Sequence, residues 1–261
     1  MKIFVMADME GISGVCTSAQ VGRDPGRYEQ SRPYLTQDAN ACIEGCFAGG
    51  ADAVVVRDAH GGGCHFVWED LDPRGEYIMG ENGRHRMPEI ETFDGLILLG
   101  YHAMAGTPEA ILEHTMSSAH WQNFYLNGRK CGEIGIDAAI AGDHGVPTIM
   151  VSGDDKACAE AEEFIPGIVT ACVKQGLAVE GGRLLSAERA HKLITEKAAQ
   201  AVQQIGKTAP FKVDPPVAMR LERVSRDRLP VRGEKPYVKI LDGRTYEVTG
   251  DTVEQALWRL S

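Results

Sequence analysis

What the sequence lacks narrows the field first. No apolar run approaches the roughly 20 residues needed to cross a bilayer, and the longest, such as Gly95 to Tyr101, are strand-length. The opening MKIFVMADME offers only about six apolar residues before its first acid, too few for an export signal with charged, apolar and cleavage regions. A cytoplasmic protein with no membrane contact is expected. Positive charge is also scarce: 27 Lys and Arg against 37 Asp and Glu leave a formal net charge of -10. Nucleic acid is therefore not an expected partner, because phosphate backbones are held by clustered cations. The seven cysteines are odd in number and contain no Cys-x-x-Cys pair, so no zinc ribbon, redox motif or disulfide framework is written into the chain. Reduced thiols are expected, and Cys42 and Cys46, four apart on an expected helix, read as core packing. Gly11-Ile-Ser13-Gly14-Val15 lacks the second glycine of a Gly-x-Ser-x-Gly elbow, which argues against a serine hydrolase. Gly61-Gly62-Gly63 fits neither a P-loop nor a dinucleotide fingerprint and reads as a place where backbone approaches a crevice.

What remains is a chain of 261 residues, 43% hydrophobic and 25% charged, long enough for one large core and an appendage. Four apolar runs end in turn or ligand-type residues: Ile3 to Ala7, Ala53 to Val56, Leu96 to Leu99 and Thr148 to Val151. They read as buried parallel strands. Helices are expected at Pro33 to Phe47, Ile134 to Ala141, from an Asp154 or Asp155 cap to Phe164, and from a Ser186 cap to about Gln204. Strands alternating with helices predict an α/β fold, a three-layer sandwich around a largely parallel sheet. Residues 1–205 form the expected core. Residues 206–261 change character, with a proline-rich link and alternating stretches at Val217 to Val224 and Tyr237 to Val248, and predict a smaller β-rich C-terminal subdomain packed on that core. Asp242-Gly243 is its hairpin signal through a positive φ at glycine. Asp251-Thr-Val-Glu254 reads as a capping box opening a helix from Val253 to Leu260.

The chemistry gathers where the apolar runs stop. The first ends in Asp8-Met-Glu10, the second leads into Asp58-Ala-His60, the third into Gly-Tyr-His102, and a later turn carries Gly132-Glu133. In open parallel sheets the working crevice lies beyond the carboxyl ends of the strands, so these distant residues become neighbours. Asp8 and Glu10 share a side of an extended segment, because side chains alternate with period two. A lone strand-end Asp is usually a turn former and a lone His a satisfied structural group; five such residues converging favour a metal site. Asp8, Glu10, His60, His102 and Glu133 exceed the three or four protein ligands of one zinc ion, which suggests two ions. Mixed imidazole and carboxylate donors suit zinc first, then manganese or cobalt, and disfavour calcium. Such a centre points to hydrolysis. His114, not needed as a ligand, reads either as a proton-transfer group or as a surface histidine. His65, His85, His120, His144 and His191 lack a strand-end setting and read as structural or solvated; Trp68, Trp121 and Trp258 read as packing or interface residues.

Taken together, Val5-Met-Ala-Asp8-Met-Glu10-Gly-Ile-Ser-Gly14, Asp58-Ala-His60, Leu99-Gly-Tyr-His102-Ala, Thr107-Pro108, His114-Thr-Met116, Gly132-Glu133-Ile-Gly135 and the stretch from Pro147 to Asp155 resemble the zinc-dependent D-aminopeptidases of peptidase family M55. The resemblance implies a binuclear zinc aminopeptidase acting on short peptides, with the ligands falling on Asp8, Glu10, His60, His102 and Glu133 and Asp8 bridging. It places the family's catalytic histidine on His114, as nucleophile or as partner to an activated water. It also implies a ring-like homo-oligomer, a decamer, that encloses the active sites. Two other readings stand beside it: a binuclear phosphoesterase, since paired metals also clamp phosphoryl groups, and a non-catalytic peptide-binding protein with structural metal.

Overall fold

The first apolar run becomes strand β1 (Lys2–Ala7), and its two faces serve two different cores. Ile3, Val5 and Ala7 pack with one set of buried residues, while Phe4 and Met6 pack with another. A strand buried on both sides is what an unbroken apolar run encodes. This computed structural model describes residues 1–22, 24–81, 83, 85–226, 229, 230, 233 and 235–260.

After β1 come α1 (Pro25–Ala48), β2 (Ala53–Asp58), β3 (Glu76–Ile78), β4 (Gly95–Tyr101), β5 (Trp121–Leu126), β6 (Arg129–Lys130), α2 (Glu133–Asp143), β7 (Thr148–Asp154), α3 (Asp155–Phe164), β8 (Val169–Ala178), β9 (Gly181–Leu184) and α4 (Ala187–Gln203). The chain closes with β10 (Val217–Arg223), β11 (Val238–Ile240), β12 (Thr245–Gly250) and α5 (Val253–Leu260). A seven-stranded sheet runs in the order β3-β2-β1-β4-β7-β8-β9. It is parallel except for β9, which turns back on β8. Helices α1 and α4 cover one face, with Leu35, Ala39, Ile194 and Ala198 against Ile3 and Val5. Helices α2 and α3 cover the other, through Ile134, Ala138, Ala157 and Ala161. The α/β three-layer sandwich around a largely parallel sheet is therefore the fold.

The second sheet, β11-β12-β10-β5-β6, is antiparallel and lies on the α2 side with α5. Its C-terminal strands do not stand alone: β10 pairs with β5, so residues 121–130 from within the first 205 share the sheet with the last fifty. No helix among the described residues is long and apolar enough to cross a membrane.

Several boundaries moved for identifiable reasons. Helix α1 starts at Pro25, not Pro33, because Asp24 accepts the Gly26 and Arg27 amides and proline sits in the first turn. Pro33 is carried inside the helix. Asp154 caps α3 through the Lys156 and Ala157 amides, as expected, whereas the Ser186 hydroxyl makes no cap bond to α4. The cap of α5 is shifted by one residue, since Thr252 Oγ1 accepts the Gln255 amide and the Gln255 side chain accepts the Asp251 amide. The Asp242 turn is held by its carboxylate, which accepts the Arg244 and Thr245 amides, and Gly243 is not among the residues with positive φ.

At the end of β4 the backbone passes so close to the Asp8 segment that only glycine fits. Gly100 has φ +70, and a Cβ there would collide with the Asp8 carbonyl oxygen and the Ile12 side chain. Gly11 donates its amide to the Gly100 carbonyl at 2.7 Å, and a Cβ on Gly11 would strike the same backbone. Gly100→Ala therefore combines a left-handed strain with overlap, and is expected to cost about 3 kcal/mol of stability. Chemical denaturation checks this: a variant within 0.5 kcal/mol (on the order of a neutral surface change) would contradict the close approach.

Candidate metal centre

The carboxyl ends of β1, β2 and β4 open on one side of the sheet, where Asp8, Glu10, His60 and Glu133 line a cavity of about 790 Å³ and His102 lies buried beside them. Asp8 and Glu10 leave β1, His60 follows β2, His102 follows β4, and Glu133 opens α2. All five come together. His60 Nδ1 lies 3.0 Å from Asp8 Oδ1 and 3.0 Å from Glu10 Oε2. His102 Nε2 lies 3.3 Å from Asp8 Oδ2 and 3.4 Å from Glu133 Oε1. His114 Nε2 is farther out, 3.8 Å from Glu133 Oε1, with its ring stacked on His102 at 4.0 Å.

Asp8 thus directs one oxygen toward each of two donor groups, Asp8-Glu10-His60 and His102-His114-Glu133. The spacings fit a cation better than a hydrogen-bond network. Donors about 2.0–2.1 Å from a tetrahedral ion lie roughly 3.3 Å from one another. Glu10 Oε2 and His102 Nε2 are buried and, among the described residues, make no hydrogen bond, although each has an opposite partner at contact distance. Orphaned buried polar atoms of this kind point to an ion.

The histidines are oriented as metal-binding imidazoles usually are, with the second ring nitrogen held by a carbonyl. His60 Nε2 meets the Val21 carbonyl at 3.1 Å, His102 Nδ1 the Ala103 carbonyl at 3.1 Å, and His114 Nδ1 the Leu112 carbonyl at 2.9 Å. Each remaining nitrogen therefore faces the carboxylates. Burial alone would raise the Asp8 pKa, but His102 and His60 overrule it and hold the carboxyl well below its usual range. Glu133 is likewise drawn down to about 2 against its burial, chiefly by His102. His60, opposed by burial, is pushed up to about 12 by Glu10 and Asp8, and His102 also rises well above its ordinary value beside Asp8 and Glu133. A place that holds protons this strongly between carboxylates is one where a divalent cation competes with them.

A supporting shell that the sequence reading missed holds these groups in place. Lys174 on β8 is buried, and its ammonium donates to the carbonyls of Glu10 at 2.6 Å, Ile12 at 2.9 Å and Val15 at 2.7 Å. All three of its protons are spent on the loop that follows Asp8. Asp38 on α1 takes the amide and hydroxyl of Ser13 from the other side, at 2.7 Å each. Glu133 accepts the Met116 amide at 2.6 Å, and behind it Arg86 forks onto Asp137, which also accepts the Tyr101 hydroxyl at 2.6 Å. Asp58 does not join the centre. It accepts the His65 backbone amide at 2.5 Å and meets the His65 ring at 2.9 Å, and that ring packs edge-on against His60 at 4.8 Å. His65 is thus structural, as expected, but it serves the site. Among the tryptophans, Trp121 stacks on Phe124, while Trp68 is exposed and packs into no core. Of the three glycines after His60, Gly61 borders the cavity with a positive φ.

The family model for the M55 peptidases, described as D-aminopeptidase, matches residues 1–261. A D-aminopeptidase of Bacillus subtilis (strain 168) is 40% identical over 213 residues, covering 81% of this chain and 77% of its own. A solved structure, a zinc-dependent D-aminopeptidase named DppA from Bacillus subtilis and characterised as a self-compartmentalizing protease, superposes with a TM-score of 0.94 at 34% identity, over 100% of this chain and 95% of that one.

Because Lys174 satisfies three carbonyls at once, Lys174→Met is expected to lower stability by about 3 kcal/mol and to weaken metal retention together with it. Denaturation alongside metal analysis checks both. Full stability and unchanged metal content would mean that the loop carrying Glu10 holds its shape unaided.

Proposed function

The chain belongs to the M55 family of D-aminopeptidases and is a metal-dependent aminopeptidase, and we propose that it holds two zinc ions, one at Asp8, Glu10 and His60 and the other at Asp8, His102 and Glu133. The observation that carries this reading is the disposition of Asp8, whose two oxygens face two different imidazoles at 3.0 and 3.3 Å. Three protein donors to each ion is the pattern of catalytic rather than structural zinc, which closes its shell with four. Three carboxylates against two divalent cations also leave a net positive centre. Zinc held by these residues would supply Lewis acidity toward a substrate carbonyl and would lower the pKa of a nearby water.

The protein's own groups do the rest. His114, with Nδ1 on the Leu112 carbonyl at 2.9 Å, turns Nε2 toward Glu133 and the cavity, where it is placed to take a proton from the attacking water and return it to the departing amine. Glu113 lines the same cavity and adds to the negative charge that draws the substrate's N-terminal ammonium. The acidity of this cavity disfavours a phosphoester substrate, which would meet one arginine and a surplus of carboxylates. The proposal extends to a D-residue at the substrate's N-terminus, supported by the D-aminopeptidase names of the relatives, and to assembly into a self-enclosing homo-oligomer, supported by the self-compartmentalizing character of the structural relative, with a ring-like decamer as the proposed form.

Two outcomes test the reading. Chelation is expected to abolish hydrolysis of D-Ala amide and short D-peptides, and zinc to restore it, with the L-Ala amide cleaved far more slowly. Metal-replete protein that leaves every such substrate intact would end the aminopeptidase assignment. His114→Ala is expected to keep both ions and lose about 10²- to 10⁴-fold in kcat. Loss of one ion from that variant would instead make His114 a ligand.

A further inference from the structure

The cavity is strongly one-sided in charge. Among the described residues lining it, Asp8, Glu10, Glu113, Glu133 and Glu180 are acidic, and Arg86 is the one lysine or arginine. Its position is fixed on several sides. Nε and Nη2 fork onto Asp137, with Nη2 at 2.9 Å, and Nη2 also reaches Glu133 Oε2 at 3.5 Å. The backbone beneath it is pinned by Arg57, whose Nη1 donates to the carbonyls of His85 at 2.9 Å and Arg86 at 2.5 Å. Among the described residues Nη1 of Arg86 makes no hydrogen bond, although the side chain is only 17% exposed and that exposure borders the cavity. Asp137 is wholly buried and accounts for one edge of the guanidinium. Nη2 is shared with Glu133, and Nη1 is left for something else.

On the aminopeptidase reading above, we infer that Arg86 is the anchor for the C-terminal carboxylate of a short peptide substrate. The distances suit this. Glu133 Oε1 belongs to the donor cluster while Glu133 Oε2 faces Arg86, so the guanidinium stands one carboxylate's width from the centre where the scissile carbonyl must lie. A residue advances the chain by at most about 3.3–3.6 Å, so a carboxylate one or two residues beyond that carbonyl falls within the guanidinium's reach. A guanidinium whose Nη1 is uncommitted offers a carboxylate a charge-assisted hydrogen bond. The opposite charges then set direction: the substrate's ammonium is drawn to the acidic part of the cavity that includes Glu113, and its carboxylate to Arg86. Substrates with both ends free and few residues between them are selected. This surface is continuous with a smaller crevice of about 190 Å³, lined by Arg57, Arg86, Met116, Trp121 and Trp258, which receives any residues beyond the second.

The test compares D-Ala-D-Ala with the same dipeptide amidated at its C-terminus, on the zinc-loaded protein. Wild type is expected to favour the free acid by about 10- to 100-fold in kcat/KM, the range of one charge-assisted contact, chiefly through KM. In Arg86→Lys, which keeps a positive charge beside Asp137, that preference is expected to shrink toward one. Equal cleavage of acid and amide by wild type, a measurement that needs no variant to fold, overturns the inference while leaving the aminopeptidase reading intact. A variant that keeps the full preference also overturns it and makes Arg86 only the counter-ion of Asp137. Cleavage of neither substrate by metal-replete wild type removes both readings together.

Discussion

Three carboxylates, Asp8, Glu10 and Glu133, are buried at one edge of the sheet within reach of the same few imidazole nitrogens. Like charges brought so close and shielded from water repel one another unless cations stand between them. Protons on His60 and His102 meet part of that need, and the proposed pair of divalent ions would meet it more fully. Much else in the molecule serves to hold this arrangement together. The glycines at 11 and 100 let two backbone segments meet, Lys174 ties the loop after Glu10 by three carbonyls, and Arg86 with Asp137 backs Glu133.

The parallel sheet makes the gathering possible. Strands that run the same way end on the same side, so ligand-type residues after β1, β2 and β4 arrive at one place without a long connection. Helix α2 then begins with Glu133 beside them, and the antiparallel sheet and α5 pack on its far side. The loop from Ala103 to Met116 folds back over the centre, bringing His114 against His102 and the Met116 amide onto Glu133. The candidate catalytic and metal-binding groups thus sit at the ends of packed strands and a helix, and the loops that carry them are tied down by hydrogen bonds to the backbone.

How much of this the sequence disclosed depended on range. Asp8, Glu10, His60, His102 and Glu133 were legible because each interrupts an apolar run or opens a helix, a local signal that needs no knowledge of the fold. The central strands and all five α-helices were legible through similarly local signals: apolar runs, periodicity and capping residues. Strands β8 and β9 were missed because VTACVKQGLA mixes polar and apolar residues without clean alternation, and β5 because its partner β10 lies more than ninety residues away. Lys174, Arg86 and Asp137 gave no local sign at all. A lysine in the middle of a strand reads as solvent-facing, and only the three carbonyls at its tip, from a loop about 160 residues distant, explain its burial.

The central claim is that Asp8 lies between two ions. Anomalous scattering at the zinc edge from crystals of the zinc-loaded protein tests it most directly. The account predicts two peaks per chain flanking the Asp8 carboxylate, one beside Glu10 and His60 and the other beside His102 and Glu133. A single peak, or a second one away from Asp8, would contradict it.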